Sequence, residues 1–398
     1  MSQYLSAQEA CQRLGVKEAT LYAYVSRGLI RSEVESQASR KRRYLAEDVD
    51  KLVERKEQRR DPAKVVEDAL HWGVPLLDSA ITLIADNQLY FRGYNASTLA
   101  QTQSLESVAA LIWLDDLTAA PNLFAQPIPL LDSTVMVSIN LSAIPAIQIA
   151  LTLASTTDFA AYDLSPSGVA RTGARILKLM ASVITHSPTV ETSIADTLAA
   201  AWSPDSAHLL NAAMILCADH ELNASSFTAR IASAVEANPY AVVQAGLATL
   251  QGFKHGGHTA RVSAFMREVG QVERVNQAIG ERLRRGDNLS GFGHFLYPDG
   301  DPRAITLMNM LLQTHAGSPA VLLAQAIAQA VHNLTGGFPT IDFALATLEN
   351  ALSLPDGSAL TLFALGRTIG WLGHAIEQYG SSEIIRPRAR YIGRPPTA

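Results

Sequence analysis

The spacing of apolar residues is the strongest constraint on this chain. From Asp61 to Ala398 they recur at helical intervals, as in Ser107–Leu114, Ala170–Val183, Leu209–Cys217, Phe227–Leu250 and Val321–Leu334, which predicts a mostly α-helical body. One interruption, Leu83–Tyr94, sets Asp86-Asn87 between two short apolar and aromatic runs and predicts a small β-hairpin. Two stretches, Ser133–Thr157 and Ala304–Ile341, carry no charge apart from histidines. Asn140, Pro145 and Gln148 interrupt the first, and Gly317, Pro319, Gln325 and Gln329 the second. Neither offers the run of about 20 apolar residues that a membrane span needs. Both are expected to be helices buried in a large helical domain or at a subunit interface.

A chain of 398 residues exceeds one ordinary domain and should hold roughly two to three units. Only 17% of the residues are charged and 48% are apolar, which excludes disorder and fibrous repeats. The net charge of −5 conceals a split: residues 1–60 sum to +4 and the remainder to −9. The basic end is therefore a candidate for a partner of its own. Cys11 and Cys217 cannot form a disulfide framework, and neither sits in a metal-ligand spacing. The amino terminus has no basic segment followed by an apolar run. No signal peptide, membrane anchor or metal site is expected, and a reducing, cytoplasmic setting fits.

In the basic end, Ser6-Ala7-Gln8-Glu9 forms a capping box that starts a helix, and Gly15 ends it. A second short helix is predicted from about Lys17 to Arg27, with Leu21 and Val25 inward. The basic run Arg40-Lys41-Arg42-Arg43-Tyr44 follows, and then a third helix over Ala46–Arg60. The stretch YLSAQEACQRLGVKEATLYAYVSRGLI, with RKRRYLAEDVDKL after it, resembles the winged helix-turn-helix of excisionases and mercury-resistance-type regulators. The resemblance implies duplex DNA as partner. Lys17, Thr20, Tyr22 and Tyr24 would approach base edges or sugars, while Arg40, Lys41, Arg42 and Arg43 would attract phosphates. A charged hairpin that docks on protein is the competing expectation.

Four segments of the body set polar residues beside glycines in apolar surroundings. They are Asp219 to Ser225, His255-Gly256-Gly257-His258, Gly291-Phe292-Gly293-His294 followed by Asp301-Pro302-Arg303, and Pro339 to Phe343. His255 and His258 lack the spacing of a metal site. Three histidines and an aspartate, with arginines nearby, suit carbonyl chemistry on an anionic substrate.

Taken in order, these segments resemble the citrate synthase family over nearly all of residues 61–398. The match begins at Leu89-Tyr90-Phe91-Arg92-Gly93-Tyr94 and ends at Arg386-Pro387-Arg388-Ala389-Arg390-Tyr391-Ile392-Gly393. The resemblance implies an all-α fold behind a 1–60 helix-turn-helix domain, with a large domain over 61–256 and 347–398 and a small one over 257–346. It implies a homodimer that condenses acetyl-CoA with oxaloacetate and holds no tightly bound cofactor. Asp342 would be the base, His255 the donor to the thioester oxygen and His294 the donor to the ketone. His220, Arg303 and Arg367 would hold the substrate carboxylates, with Arg386 lent across the dimer interface and Phe363 beside the acyl group. Coenzyme A would lie along Asn288, Leu289, Ser290, Gly291, Phe292 and Gly293, with Arg284, Arg285 or Arg261 near its phosphates. Asn223 would stand behind His220.

The chain departs from the family pattern at His258-Thr259, where an Ala-Asn pair is common, and at Ser290, where proline is common. Two other functions stay open from sequence: a 2-methylcitrate synthase using propionyl-CoA, and a DNA-binding regulator that uses the synthase fold to sense a metabolite. Keeping Asp342, His255 and His294 favours chemistry, because a sensor needs no base.

Overall fold

The computed structural model describes residues 4–26, 29–36, 39–46, 48–49, 77–125, 141–188, 190, 192–381 and 383–394. They fall into two compact units, residues 1–78 and 79–398. The expected boundary at residue 60 and most of the expected Ala46–Arg60 helix lie outside the described residues.

In the first unit, strand Tyr4–Ser6 leads into helices Ala7–Leu14 and Glu18–Ser26, followed by strands Ser32–Ser36 and Ser39–Leu45. The capping box closes as the sequence predicts: Glu9 N–H donates to Ser6 Oγ at 3.3 Å, and Ser6 N–H to Glu9 Oε2 at 2.8 Å. Gly15 takes φ +59° and ends the helix, a conformation glycine adopts without Cβ strain. Leu5, Ala10, Leu14, Leu21, Ile30 and Tyr44 build a core of their own. Ser39–Leu45 is the middle strand of an antiparallel three-stranded sheet, so the basic run is a β-wing. Arg42 and Arg43 are exposed, and Arg43 pairs with Glu33 at 3.0 Å. The side chains of Arg40 and Lys41 lie outside the described residues.

Among its described residues the second unit is helical apart from one small antiparallel sheet, Thr82–Ala85, Gln88–Phe91 and Tyr94–Asn95. Its first turn carries Asp86 and Asn87 at φ +50° and +57°, the pair of left-handed residues that suits a tight hairpin. Ser107–Leu114 lies within helix Leu105–Leu114, Ala170–Val183 within Pro166–Thr185, and Val321–Leu334 within Pro319–Thr335. The apolar stretch Phe227–Leu250 is two helices, Ala224–Ser233 and Pro239–Leu250. Glu236 turns left-handed at φ +58° between them, and Asn238 caps the second ahead of Pro239. Helix Pro319–Thr335, in the second charge-free run, is buried along one face within the single chain. That helix buries Val321, Ala324, Ile327 and Val331 but leaves Leu322 and Leu334 47% and 59% exposed. Gln325, Gln329 and Asn333 occupy its outer face; lack of charge does not make a helix apolar all round.

Two apolar cores organise this unit. The larger gathers around the 22-residue helix Ser358–Tyr379. The smaller is built by Val262, Phe265, Val269, Ile279, Ile327 and Phe343. Helix Ile341–Ala351 serves both, giving Phe343 and Ala346 to the smaller core and Ile341, Leu345 and Leu348 to the larger. Helix Ser358–Tyr379 packs so closely that a Cβ on Gly366 would lie 2.1 Å from the Met214 carbonyl oxygen.

Backbone cannot yield there as a flexible side chain would. Gly366→Ala is therefore expected to destabilise the chain by at least about 1–3 kcal/mol, read as a lower denaturation midpoint. An unchanged midpoint would contradict this packing.

Candidate active site

One face of helix Ser358–Tyr379 organises the site. Arg367, Gly370, Trp371 and His374 follow the i, i+3, i+4, i+7 spacing that aligns side chains along a helix, and each meets segment 217–225. Arg367 Nε donates to Cys217 O at 2.8 Å, and Gly370 N–H to Ala218 O at 3.0 Å. Trp371 Nε1 donates to Ser225 Oγ at 3.1 Å, and His374 Nε2 lies 3.2 Å from Asp219 Oδ1. Asn223, expected behind His220, caps helix Ala224–Ser233 through its side-chain oxygen.

His220, carried on this segment, meets loop 294–303. Its Nε2 is 2.9 Å from the Tyr297 hydroxyl, and its ring centroid is 5.2 Å from that of His294. Arg303 lies over the Tyr297 ring at 5.5 Å. It is 3% exposed and forms two bonds to Asp301, from Nε at 2.9 Å and Nη2 at 2.8 Å. Asp301 also caps helix Pro302–His315 and accepts the Ile341 N–H at 3.0 Å. One carboxylate thus ties Arg303 to the helix start that carries Asp342.

His255 Nε2 lies 2.7 Å from Ser225 Oγ, and its ring stands edge-on to Phe363 with centroids 6.1 Å apart. Arg367 lies over the same Phe363 ring at 5.1 Å. Arg367 is 1% exposed, and its buried Nη2 has no hydrogen-bond partner. Buried donors are ordinarily paired, so this one is open to a partner.

Electrostatics follow from burial beside fixed cations. Burial, then the Arg367 charge, lowers His255 to about 4. Burial, then Arg303, lowers His294 to about 4. Burial also pushes His220 well below its ordinary value, with Arg303 and Arg367 adding to it. All three imidazoles are neutral at pH 7. Burial raises the Asp342 carboxyl, against the opposing influence of His258 and Arg303, which makes it a stronger base than an exposed aspartate.

Loop 288–293 is strapped to the residues before Asp342. Gly293 N–H donates to Phe338 O and Thr340 N–H to Gly291 O, each at 2.9 Å. Gly291 and Gly293 take φ +91° and +78°, so these glycines are required by backbone conformation. His258 Nε2 accepts the Gly291 N–H at 3.2 Å. A cavity of about 290 Å³ opens along this loop beside Asn288, Leu289, Phe292, Gly293 and Val331. Ser290 turns away from solvent, 3% exposed, with no partner for its hydroxyl.

The structure thus gathers His220, His255, His294, Arg303, Arg367 and Phe363 through shared neighbours. Asp342 joins them through Asp301 and the influence of Arg303. Arg386 is exposed in the irregular segment 383–394, and among the described contacts none joins it to this cluster. Arg284 and Arg261 are likewise exposed, and Arg285 is engaged with Glu268 and Asp287. Sequence reading singled out the segments holding Asp219, Ser225 and Asp301 without giving those residues a role, and it missed Tyr297 and His374. Asp301-Pro302 does read as a helix start, but the carboxylate's hold on Arg303 has no sequence signal.

Comparison with known proteins gives the family and the fold. Residues 69–388 match the family model "Citrate synthase, C-terminal domain", and residues 4–57 match "Helix-turn-helix domain". The chain is 29% identical to citrate synthase 2 of Bacillus subtilis over 351 residues, covering 81% of this chain and 94% of that one. It is 25% identical to 2-methylcitrate synthase 2 of Corynebacterium glutamicum over 341 residues, 77% and 89% of the two chains. The fold resembles citrate synthase of Thermotoga maritima, with a TM-score of 0.70, 23% identity, and coverage of 81% and 94%. It also resembles the citrate synthase of Thermoplasma acidophilum in ternary complex with carboxymethyl coenzyme A and oxaloacetate, at TM-score 0.70, 24% identity, and coverage of 82% and 96%. With its family match spanning most of its length, the chain belongs to the citrate synthase family and carries a helix-turn-helix domain at its amino terminus.

Proposed function

We propose that the body condenses acetyl-CoA with oxaloacetate and water to give citrate and coenzyme A. The observation that carries this reading is the pair of neutral imidazoles, His255 and His294, beside two buried guanidinium groups, one with an unpartnered donor. Planar guanidinium groups suit the two carboxylates of oxaloacetate, so Arg303, Arg367 and His220 hold it. Arg386 comes from a second copy of the chain, making the working form a homodimer. Coenzyme A follows loop 288–293 and the cavity beside it, and no tightly bound cofactor takes part.

Asp342 takes a proton from the carbon next to the thioester carbonyl. The thioester oxygen gains enol character and accepts a hydrogen bond from His255. Ser225 Oγ accepts from Trp371; its one proton turns from Asn223 Oδ1, 2.9 Å away, to His255 Nε2 at 2.7 Å, leaving Nδ1–H as the donor. The enol carbon then bonds to the ketone carbon of oxaloacetate, and the ketone oxygen takes the charge. His294 Nδ1 accepts the Leu296 N–H at 3.2 Å, which leaves Nε2–H to stabilise that oxygen. Water cleaves the resulting thioester to release citrate and the free thiol. Residues 257–346 act as a small domain that closes over the substrates and excludes water.

Thiol release from acetyl-CoA with oxaloacetate tests this reading. No turnover with oxaloacetate binding intact would favour a metabolite-sensing regulator. A 2-methylcitrate synthase is the second reading, since relatives of that activity match the chain. One methylene alters selectivity by about 1–3 kcal/mol, so propionyl-CoA in the same assay separates the two.

Asp342→Asn is expected to abolish turnover yet stabilise the fold at neutral pH. A carboxyl raised on folding binds its proton more tightly in the native state, so its ionisation costs stability as pH rises. The gain in melting temperature should be absent below about pH 4, where the carboxyl is protonated folded or unfolded, and grow above it. A gain that shrinks with rising pH would contradict the assignment.

The amino-terminal unit binds duplex DNA, in support of which stand its helix-turn-helix match and its exposed basic wing. Lys17 and Thr20 approach the bases while Arg40, Lys41, Arg42 and Arg43 attract phosphates. Neutralising these four is expected to weaken binding and to reduce its log–log salt slope by roughly one for each phosphate no longer neutralised. Unchanged binding, or none at low salt, would favour docking on protein.

A further inference from the structure

The proposed reaction leaves a buried titratable cluster beside the site without a role. Asp219 and His374 are both fully buried, immediately behind His220 and Arg367. The Asp219 carboxylate accepts the Thr82 hydroxyl at 2.6 Å, meets His374 Nε2 at 3.2 Å and is approached by the Ser226 hydroxyl at 3.5 Å. It lies against the backbone of Gly370, where a Cβ would come within 2.4 Å of Asp219 Oδ1. No larger residue would let the carboxylate settle there. Beyond His374 stands Glu377, 3.9 Å from Nδ1, itself paired with Arg230 at 3.2 Å and accepting the Ala80 N–H at 2.7 Å.

We infer that Asp219 and His374 form a positioning pair that holds His220 and Arg367 in register for the dicarboxylate and balances the buried charge of Arg367. The inference rests on the proposed reaction. Three observations carry it. Asp219 immediately precedes His220, so anchoring its carboxylate to helix Ser358–Tyr379 fixes where the neighbouring imidazole stands. The anchor, His374, lies seven residues from Arg367 on the same helix face, so the two substrate-holding groups are joined by one short chain of neighbours. Arg367 Nε is spent on the Cys217 carbonyl, an uncharged partner, and Asp219 is the leading opposing influence on a guanidinium that burial presses below its usual range. Asp219 in turn would be raised by burial, but His374, Arg367 and Thr82 together hold it below the carboxylate range. A fixed anion behind Arg367 offsets part of the cost of burying its charge while leaving Nη2 free for substrate.

The test measures steady-state thiol release and calorimetric oxaloacetate binding for the full chain and for Asp219→Asn, His374→Leu, His374→Gln and Thr82→Val. Asp219→Asn and His374→Leu are expected to raise KM and Kd for oxaloacetate about tenfold or more, with KM for acetyl-CoA little changed. His374→Gln, whose amide can still donate to Asp219, should recover most of that loss. Thr82→Val removes one donor from the carboxylate at the hairpin, and should raise KM for oxaloacetate about threefold. It keeps the test decisive should Asp219→Asn fail to fold. Turnover by the unaltered chain with oxaloacetate affinity equal in the folded variants overturns the inference and leaves the reaction standing. So does a loss that falls alike on both substrates and on kcat, which is the mark of a merely structural pair. An unaltered chain that neither binds oxaloacetate nor releases thiol overturns the reaction, and the inference with it.

Discussion

Two guanidinium ions held out of water set the terms for the rest of the site. Burying a charge is costly unless a partner compensates, and the fold answers differently for each. Arg303 receives a bidentate carboxylate from Asp301. Arg367 receives the Cys217 carbonyl, the face of the Phe363 ring and the more distant charge of Asp219. The first cation is largely satisfied; the second retains an open donor. Their combined field, added to burial, keeps the surrounding imidazoles neutral. Each therefore offers one N–H donor and one acceptor nitrogen, and the same burial strengthens Asp342 as a base.

Such a site needs backbone held tightly around it, and the packing supplies this through two devices. Glycines let helix Ser358–Tyr379 approach the Met214 and Ala218 carbonyls at distances closed to any Cβ. Asp301 binds Arg303, caps one helix and ties down the start of another. The helix carrying Asp342 contributes to both apolar cores, so its first turn sits where the two meet.

Much of the fold was legible because its signals are local. Capping by Ser6 and Glu9, the left-handed Gly15, the Asp86-Asn87 hairpin and most helix positions depend on neighbours only a few residues away. The break in Phe227–Leu250 was hidden because Glu236 gives no strong signal for a left-handed turn, although Asn238-Pro239 marks the start of the next helix. Which face of Pro319–Thr335 packs inside the chain was hidden because missing charge does not distinguish its faces, and Gln325, Gln329 and Asn333 line the outer one.

The sequence by itself determined the helical character of the body, the basic wing segment and the ordered set of histidines, arginines and aspartate, since residue type and short-range spacing are written in the chain. Only the tertiary structure decided that His220 meets Tyr297, that Ser225 links His255 to Trp371, and that Asp219 reaches His374 across 155 positions. It also decided which imidazoles are neutral. Those outcomes depend on distance, burial and field between segments far apart in sequence, quantities that come into being only when the chain is packed.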